Sequence, residues 1–295
     1  MKASERRWNG TGKTGIAPAA GTMCFIKAAT SIRKVRILIT GTRSGLGRHI
    51  HETFGGIPWT RQFQAEERTQ IKQQGVDIII HCAFNSNRII DSSNLFSYVQ
   101  DNVLLTEELV SIQHNQFIFI SSVDVYPCRS EFHSEDEVID AHEVKGIYGI
   151  TKLMSEAIVK QSSPNHLILR CASLLGRHAR KNSLMRILQD SPCELSLASD
   201  STLNFVLHSD VSDFLLLAIK RQIQGIYNVA STSNVVLSEI VDMLGKRVKF
   251  GDHVYHVGDI DTGKILSFFP RMMKTSQEVV AEFIGQRALA RERCS

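Results

Sequence analysis

Unbroken apolar runs alternate along this chain with longer stretches whose apolar positions return every third or fourth residue. Val35 to Ile39, Val76 to His81, Phe117 to Ser121 and Leu167 to Arg170 are runs of the first kind. They read as strands with both faces buried, because a parallel strand covered by helices on each side has no polar face. Leu46 to Phe54, Glu66 to Gln74, Leu95 to His114 and Lys145 to Gln161 carry helical spacing between them, and Ile57 to Trp59 leaves room only for a short second strand. Strands and helices alternating in this way predict an α/β fold with a doubly wound parallel sheet. Beyond Gly176 the alternation weakens, and Arg177 to Asp190, Cys193 to Leu197 and Leu237 to Phe250 are expected to form a smaller lobe over the carboxyl edge of the sheet.

The turn after the first strand is rich in glycine. In ILITGTRSGLGR (Ile37 to Arg48), Gly41 permits the tight turn, Gly45 lets backbone approach a pyrophosphate, and Gly47 lets the next helix pack on the strand. Amide groups at the helix N-terminus, from Ser44 to Leu46, would then face the anion. GTGKTG (Gly10 to Gly15) has the composition of a phosphate loop, but Arg7 stands where the first glycine is required and no strand precedes it, so that match is accidental.

A second motif, YGITK, puts Tyr148 and Lys152 one turn apart on one helix face. A free phenol titrates near pH 10 and a neighbouring cation favours phenolate, so Lys152 and the positive ring of a nicotinamide would bring Tyr148 into working range as acid or base. Upstream, the Phe117 strand delivers Ser121 and Ser122 at its carboxyl end, where open α/β sheets place ligands. A hydroxyl there can hold the substrate oxygen whose proton Tyr148 exchanges.

Seven segments in order carry a family resemblance: TGTRSGLG, DIIIHCA, DNVLLTEELV, SSVDVY, YGITKLMSE, LILRCASLLG and GIYNVAS. From about Val35 onward the chain resembles the extended short-chain dehydrogenases/reductases, the nucleotide-sugar epimerases, dehydratases and keto-sugar reductases. The resemblance implies a Rossmann-like fold, Ser122, Tyr148 and Lys152 as the catalytic trio, and Asn102 as the supporting asparagine. It also implies that His81, Cys82 and Ala83 run beside the cofactor, and that 203–230 returns from the lobe to the main domain. The expected division is a basic N-terminal extension over 1–34, a dinucleotide-binding domain over 35–176 and a mainly substrate-binding lobe over 177–295. A homodimer through the helices Leu95 to His114 and Lys145 to Gln161 is implied in the same way.

Charge confines the possible partners. Residues 1–36 sum to +7 of a total of +4, which leaves −3 for the body, so a nucleic-acid-binding face on the body has no support. Of an organelle-targeting peptide, a disordered arm and translated sequence ahead of a start at Met23, the last two are favoured for the extension, because it lacks a clear amphipathic face. Six cysteines stand without CxxC or metal-like spacing, which excludes a disulfide framework and a metal site and suits a reducing, cytoplasmic setting. No apolar run is long enough to span a bilayer.

Cofactor choice is read at the end of the second strand, where enzymes selecting NAD carry an acid for the ribose. Here that end reads Trp59, Thr60, Arg61. Arg61 and Arg43 are the candidates to pair with a 2′-phosphate, so NADP is favoured over NAD. At the substrate end the chain departs from the pattern it resembles. Val123 and Asp124 replace the Asp-Glu pair of the dehydratases, and valine has no proton to exchange, so dehydration is disfavoured. Leu203 and Leu207 replace the usual arginine and histidine, with His208 one place later, and Arg177, Arg180, Lys181 and Arg186 are the basic residues left to bind a nucleotide diphosphate. Pro127 and Gly146 also depart from the pattern, which points to an unusual loop near the substrate. The expected function is an NAD(P)-dependent keto-sugar reductase or 4-epimerase acting on a nucleotide sugar. A non-catalytic NAD(P)-binding sensor or assembly protein is the alternative, disfavoured by the intact trio.

Overall fold

A computed structural model of the chain describes residues 35–292 apart from 86, 88 and 128–130; the extension read at residues 1–34 lies outside the described residues. Six parallel strands form the central sheet: β1 (Ile37–Thr40), β2 (Ile57–Trp59), β3 (Ile78–His81), β4 (Gln116–Ser122), β5 (His166–Cys171) and, after short strands of the lobe that include β6 (Ser173–Leu175) and β7 (Phe205–Leu207), β8 (Gly225–Val229). Their spatial order is β8-β5-β4-β3-β1-β2. From β1 the chain goes outward to β2 and then crosses back to β3 on the other side of β1. The direction of winding therefore reverses between β1 and β3, and open α/β sheets have their ligand crevice outside the carboxyl ends at such a point.

Alternate side chains of each strand feed two hydrophobic layers, as a period of two requires. Ile39, Ile118, Ile120, Leu167 and Leu169 pack on the face covered by α1 (Gly45–Phe54) and α7 (His208–Arg221). Leu38, Ile79, Phe117, Phe119 and Ile168 pack on the opposite face, against Ile71 of α2 (Ala65–Gln74), Leu109 and Val159. This two-sided burial is why the strands read as continuous apolar runs.

The single helix expected over Leu95 to His114 is divided. It runs as α3 (Leu95–Val99), a π-helical turn (Gln100–Leu104) and α4 (Leu105–Val110). No proline or glycine lies in this stretch, so the cause is tertiary. The Asn102 carbonyl accepts the Ser155 hydroxyl, at 2.7 Å, from the neighbouring α5 (Gly146–Ser162). A carbonyl drawn to an outside donor is compatible with the wider turn.

The lobe has its own core. The short strands β6 (Ser173–Leu175) and β7 (Phe205–Leu207) pair in parallel, and α6 (Ser183–Gln189) and α8 (Leu237–Met243) pack around them. Beyond α9 (Gly263–Phe268), helix α10 (Ser276–Glu292) adds Val279, Val280 and Phe283 to that core. Sequence reading left α10 unassigned, although these three residues have helical spacing. Residues after β7 return to the main sheet: α7 packs beside α1 and β8 pairs with β5.

Candidate active site

Loops at the carboxyl ends of β1, β3, β4 and β5 surround a cavity of about 940 Å³. On the β1 side it is bounded by Ser44, Gly45, Leu46 and Gly47. Gly41 has φ +74°, and a Cβ there would lie 2.9 Å from the Ala83 nitrogen; a Cβ on Gly47 would lie 2.6 Å from the Gly41 carbonyl oxygen. Only glycine allows this turn to close against both the next helix and the chain leaving β3. The cradle thus meets the backbone requirement of a dinucleotide pyrophosphate, at the start of α1 and at the winding reversal. A buried polar chain ties it to the rest of the site. Thr40 Oγ1 accepts from the amides of Cys82 and Ala83 at 3.0 and 2.8 Å, and lies 2.8 Å from His81 Nδ1, while His81 Nε2 lies 3.1 Å from Thr106 Oγ1. Thr106 then donates to Ser155, and Ser155 to the Asn102 carbonyl. Burial, with Lys152 nearby, holds His81 at a pKa of about 3, so it is neutral and bridges the two threonines by donating through one nitrogen and accepting through the other. Its ring lies against Phe117 and Phe119 and does not line the cavity, whereas the expectation had it running beside the cofactor.

Tyr148 and Lys152 reach the cavity from the first two turns of α5, and Ser122 from the last residue of β4. The Lys152 ammonium donates to the Ile120 carbonyl at 2.7 Å and stands 4.6 Å from the Phe119 ring centre, 5.5 Å from that of Phe84 and 6.0 Å from that of Tyr148. Burial pushes its pKa down to about 8. The phenol behaves otherwise than expected. Burial first, and the Asp124 carboxylate second, push Tyr148 above its ordinary range, with a hydrogen bond to Ser122 pulling the other way. In the protein alone Tyr148 is therefore held protonated, and Lys152 does not offset the burial.

Asp124 receives more contacts than its sequence position suggested. Its carboxylate accepts from the Ser122 hydroxyl at 3.1 Å and from the Tyr255 hydroxyl at 2.7 Å, so a lobe residue reaches the cavity wall that carries Ser122 and Tyr148. Phe84, shortly after β3, sets its ring at a tilt 4.5 Å from that of Tyr148. Neither Phe84 nor Tyr255 belongs to the sequence-predicted site. The position of Phe84 beyond a buried strand was a usable signal, but Tyr255, in a loop without periodicity, gave none.

The other expected residues are placed as follows. The Asn102 side chain does not line the cavity; it accepts from the Asn85 amide at 2.7 Å and fixes the loop after β3. Arg61 forms an ion pair with Asp101, Arg43 is exposed, and neither lines the cavity. Arg177 is exposed outside it, while Lys181 and Arg186 are paired with Asp190. Arg180 does line it, yet beside Gly45 and Phe84, at the cradle. Leu203 lines the cavity, Leu207 is part of the lobe core, and Gly146, with φ +82°, opens α5 at the cavity rim. His208 also lines the cavity, with a pKa lowered to about 3 by burial and by His49 and His178. Taken together, a hydroxyl, a phenol and an ammonium converge on one cavity beside a glycine cradle, an arrangement able to exchange a proton with an oxygen held next to a bound dinucleotide.

No curated protein matches the chain at a significant level. Among solved structures, a dTDP-4-dehydrorhamnose reductase from Clostridium acetobutylicum superposes with TM-score 0.71 at 19% identity, over 86% of this chain and 100% of that one. The same enzyme from Bacillus anthracis, in complex with NADP, gives 0.71 at 18% identity over 86% and 100%. UDP-glucuronic acid 4-epimerase from Bacillus cereus, in complex with UDP-glucuronic acid and NAD, gives 0.67 at 20% identity over 85% and 99%. These likenesses establish the Rossmann-like fold. The model of the NAD dependent epimerase/dehydratase family matches residues 37–230, from β1 through β8 and over more than half of the chain, so this chain belongs to that family.

Proposed function

We propose that the chain is an NAD(P)-dependent oxidoreductase acting on a nucleotide-linked sugar, as a keto-sugar reductase or a 4-epimerase. The observation that carries this reading is the convergence of Ser122, Tyr148 and Lys152 on the cavity beside the Gly41–Gly47 cradle. Gly41, Ser44, Gly45, Leu46 and Gly47 would hold the dinucleotide, with Cys82 and Ala83 beside it. When bound, the dinucleotide supplies the acceptor or donor of a hydride. The chain's own residues manage the proton. Ser122, steadied by Asp124, orients the sugar oxygen, and Tyr148, kept protonated by burial and by Asp124, gives its proton to that oxygen on reduction and takes one back on oxidation. Lys152 is the cation beside the phenol and favours its phenolate form during oxidation. Val123, without a titrating group, leaves dehydration out of this reading.

NADP stays ahead of NAD, because β2 ends at Trp59 with no acid directly after it and Arg43 stands exposed in the turn. A homodimer belongs to the same reading, supported by exposed apolar side chains on the helices expected at its seam: Phe96 on α3, Met154 on α5 and Leu104 in the π-helical turn. No helix among the described residues is long and apolar enough to cross a membrane. A reducing, cytoplasmic setting belongs to the same reading, supported by the free thiols of Cys82, Cys171 and Cys193. Mass spectrometry of the purified protein under non-denaturing conditions tests the reading. A retained dinucleotide points to the epimerase, whose cofactor is regenerated within each turnover, and an empty protein that binds added NADPH points to the reductase. A protein that binds neither dinucleotide overturns both.

A further inference from the structure

Arg180, expected from the sequence to anchor the substrate diphosphate, stands beside the glycine cradle. Its side chain lies 3.5 to 3.9 Å from the place a Cβ on Gly45 would take, its guanidinium donates to the Phe84 carbonyl at 3.3 Å, and it stands 5.7 Å over the Phe84 ring. It therefore spans the cavity mouth from the β1 turn to the loop after β3. Its backbone is fixed there, because the Gly45 amide donates to the His178 carbonyl at 2.8 Å and the His178 ring reaches Glu52 of α1 at 2.6 Å.

Charge makes this placement informative. Among the described residues no carboxylate pairs with Arg180; of the cations lining the cavity Lys181 is paired with Asp190, which leaves Lys152 and Arg180 against the single carboxylate of Asp124, which Ser122 and Tyr255 already occupy. Arg180 and Lys152 repel each other across the same space. A half-buried guanidinium without an acid, facing another cation, is unfavourable until an anion joins them. Its planar fork matches two phosphate oxygens, and the start of α1 presents amides to the same region.

We propose that Arg180 binds the pyrophosphate of the dinucleotide, clasping it from the lobe side against the Gly45 turn, and does not bind the diphosphate of the sugar substrate. The inference rests on the reading that the cradle takes NAD(P). The test is equilibrium binding to the full chain: NADPH and NADH followed by nicotinamide fluorescence, and ADP-ribose and UDP by calorimetry, for the wild type, Arg180→Met and Arg180→Lys. Loss of a charge-assisted contact predicts that Arg180→Met weakens NADPH, NADH and ADP-ribose by one common factor of about tenfold or more. Arg180→Lys recovers part of the loss, and UDP binds as before. Raising the salt concentration weakens ADP-ribose binding more in the wild type than in Arg180→Met. Unchanged ADP-ribose binding in Arg180→Met overturns the proposal, and weakened UDP binding alongside it reassigns Arg180 to the substrate diphosphate. Wild-type protein that binds no dinucleotide overturns the reading of the cradle as well, which separates the two failures.

Discussion

The hydroxyl of Tyr255 donates to the carboxylate of Asp124 at 2.7 Å, and Asp124 in turn raises the pKa of Tyr148. The lobe therefore reaches the Tyr148 phenol through one carboxylate. Asp124→Asn removes the negative charge and keeps the shape, so Tyr148 should titrate at lower pH. In the oxidation direction, where Tyr148 must accept a proton, the limb of kcat/KM that rises with pH is expected to move toward acid. A pH profile in which that limb stays in place would take Asp124 out of the electrostatics of the site.

Replacing the phenol itself separates chemistry from binding. Tyr148→Phe retains the ring packed on Phe84 and removes the exchangeable proton. Turnover is expected to fall about 100-fold or more, with dinucleotide affinity nearly unchanged. Near-normal turnover would exclude Tyr148 as the proton donor.

Arg43 and Arg61 test cofactor choice. Arg61 is paired with Asp101, so a 2′-phosphate would have to draw it away, while Arg43 is already exposed. Arg43→Ala with Arg61→Ala should weaken NADP far more than NAD in a fluorescence titration. Equal weakening of both, or none, would show that these arginines do not read the phosphate.

Two buried histidines predict how stability responds to acid. His81 and His208 titrate at about 3 in the folded protein against an ordinary value of 6.5, both through burial first. Between those values the unfolded chain binds more protons than the folded one. Their contribution to stability is therefore complete above about pH 6.5 and is lost as pH falls toward 3, at up to about 1.4 kcal/mol per pH unit for each. Urea midpoints measured at pH 7 and pH 5 should differ in that direction, and His208→Asn should flatten the slope. A midpoint equal at both values would contradict the neutral, buried state of these rings.

Much of this was legible in the sequence because it depends on local pattern. The strands of the sheet are apolar on both faces, and Tyr148 and Lys152 share a helix face by spacing alone. What lay beyond the sequence depends on contacts between distant segments. The π-helical turn has no glycine or proline to mark it and is associated with a hydroxyl on another helix. The Asn102 amide is turned by the loop at Asn85, and the Lys152 ammonium is directed by the Ile120 carbonyl. The basic run after Gly176 could not be sorted by composition. Asp190 pairs with Lys181 and Arg186, which leaves Arg180 as the one whose side chain faces the cradle.

The seat of α10 sets an order of events during synthesis. The central sheet is complete once β8, ending at Val229, has left the ribosome, whereas the lobe core lacks Val279, Val280 and Phe283 until about fifty further residues have followed. Chains fold by units from the N-terminus as they emerge. The cradle and the α5 face that carries Tyr148 can therefore be in place while the lobe still exposes its apolar interior. For that interval the glycine cradle is formed while the lobe wall that faces it is not. A ligand held by the cradle would then stabilise the sheet before the lobe has closed on its own core.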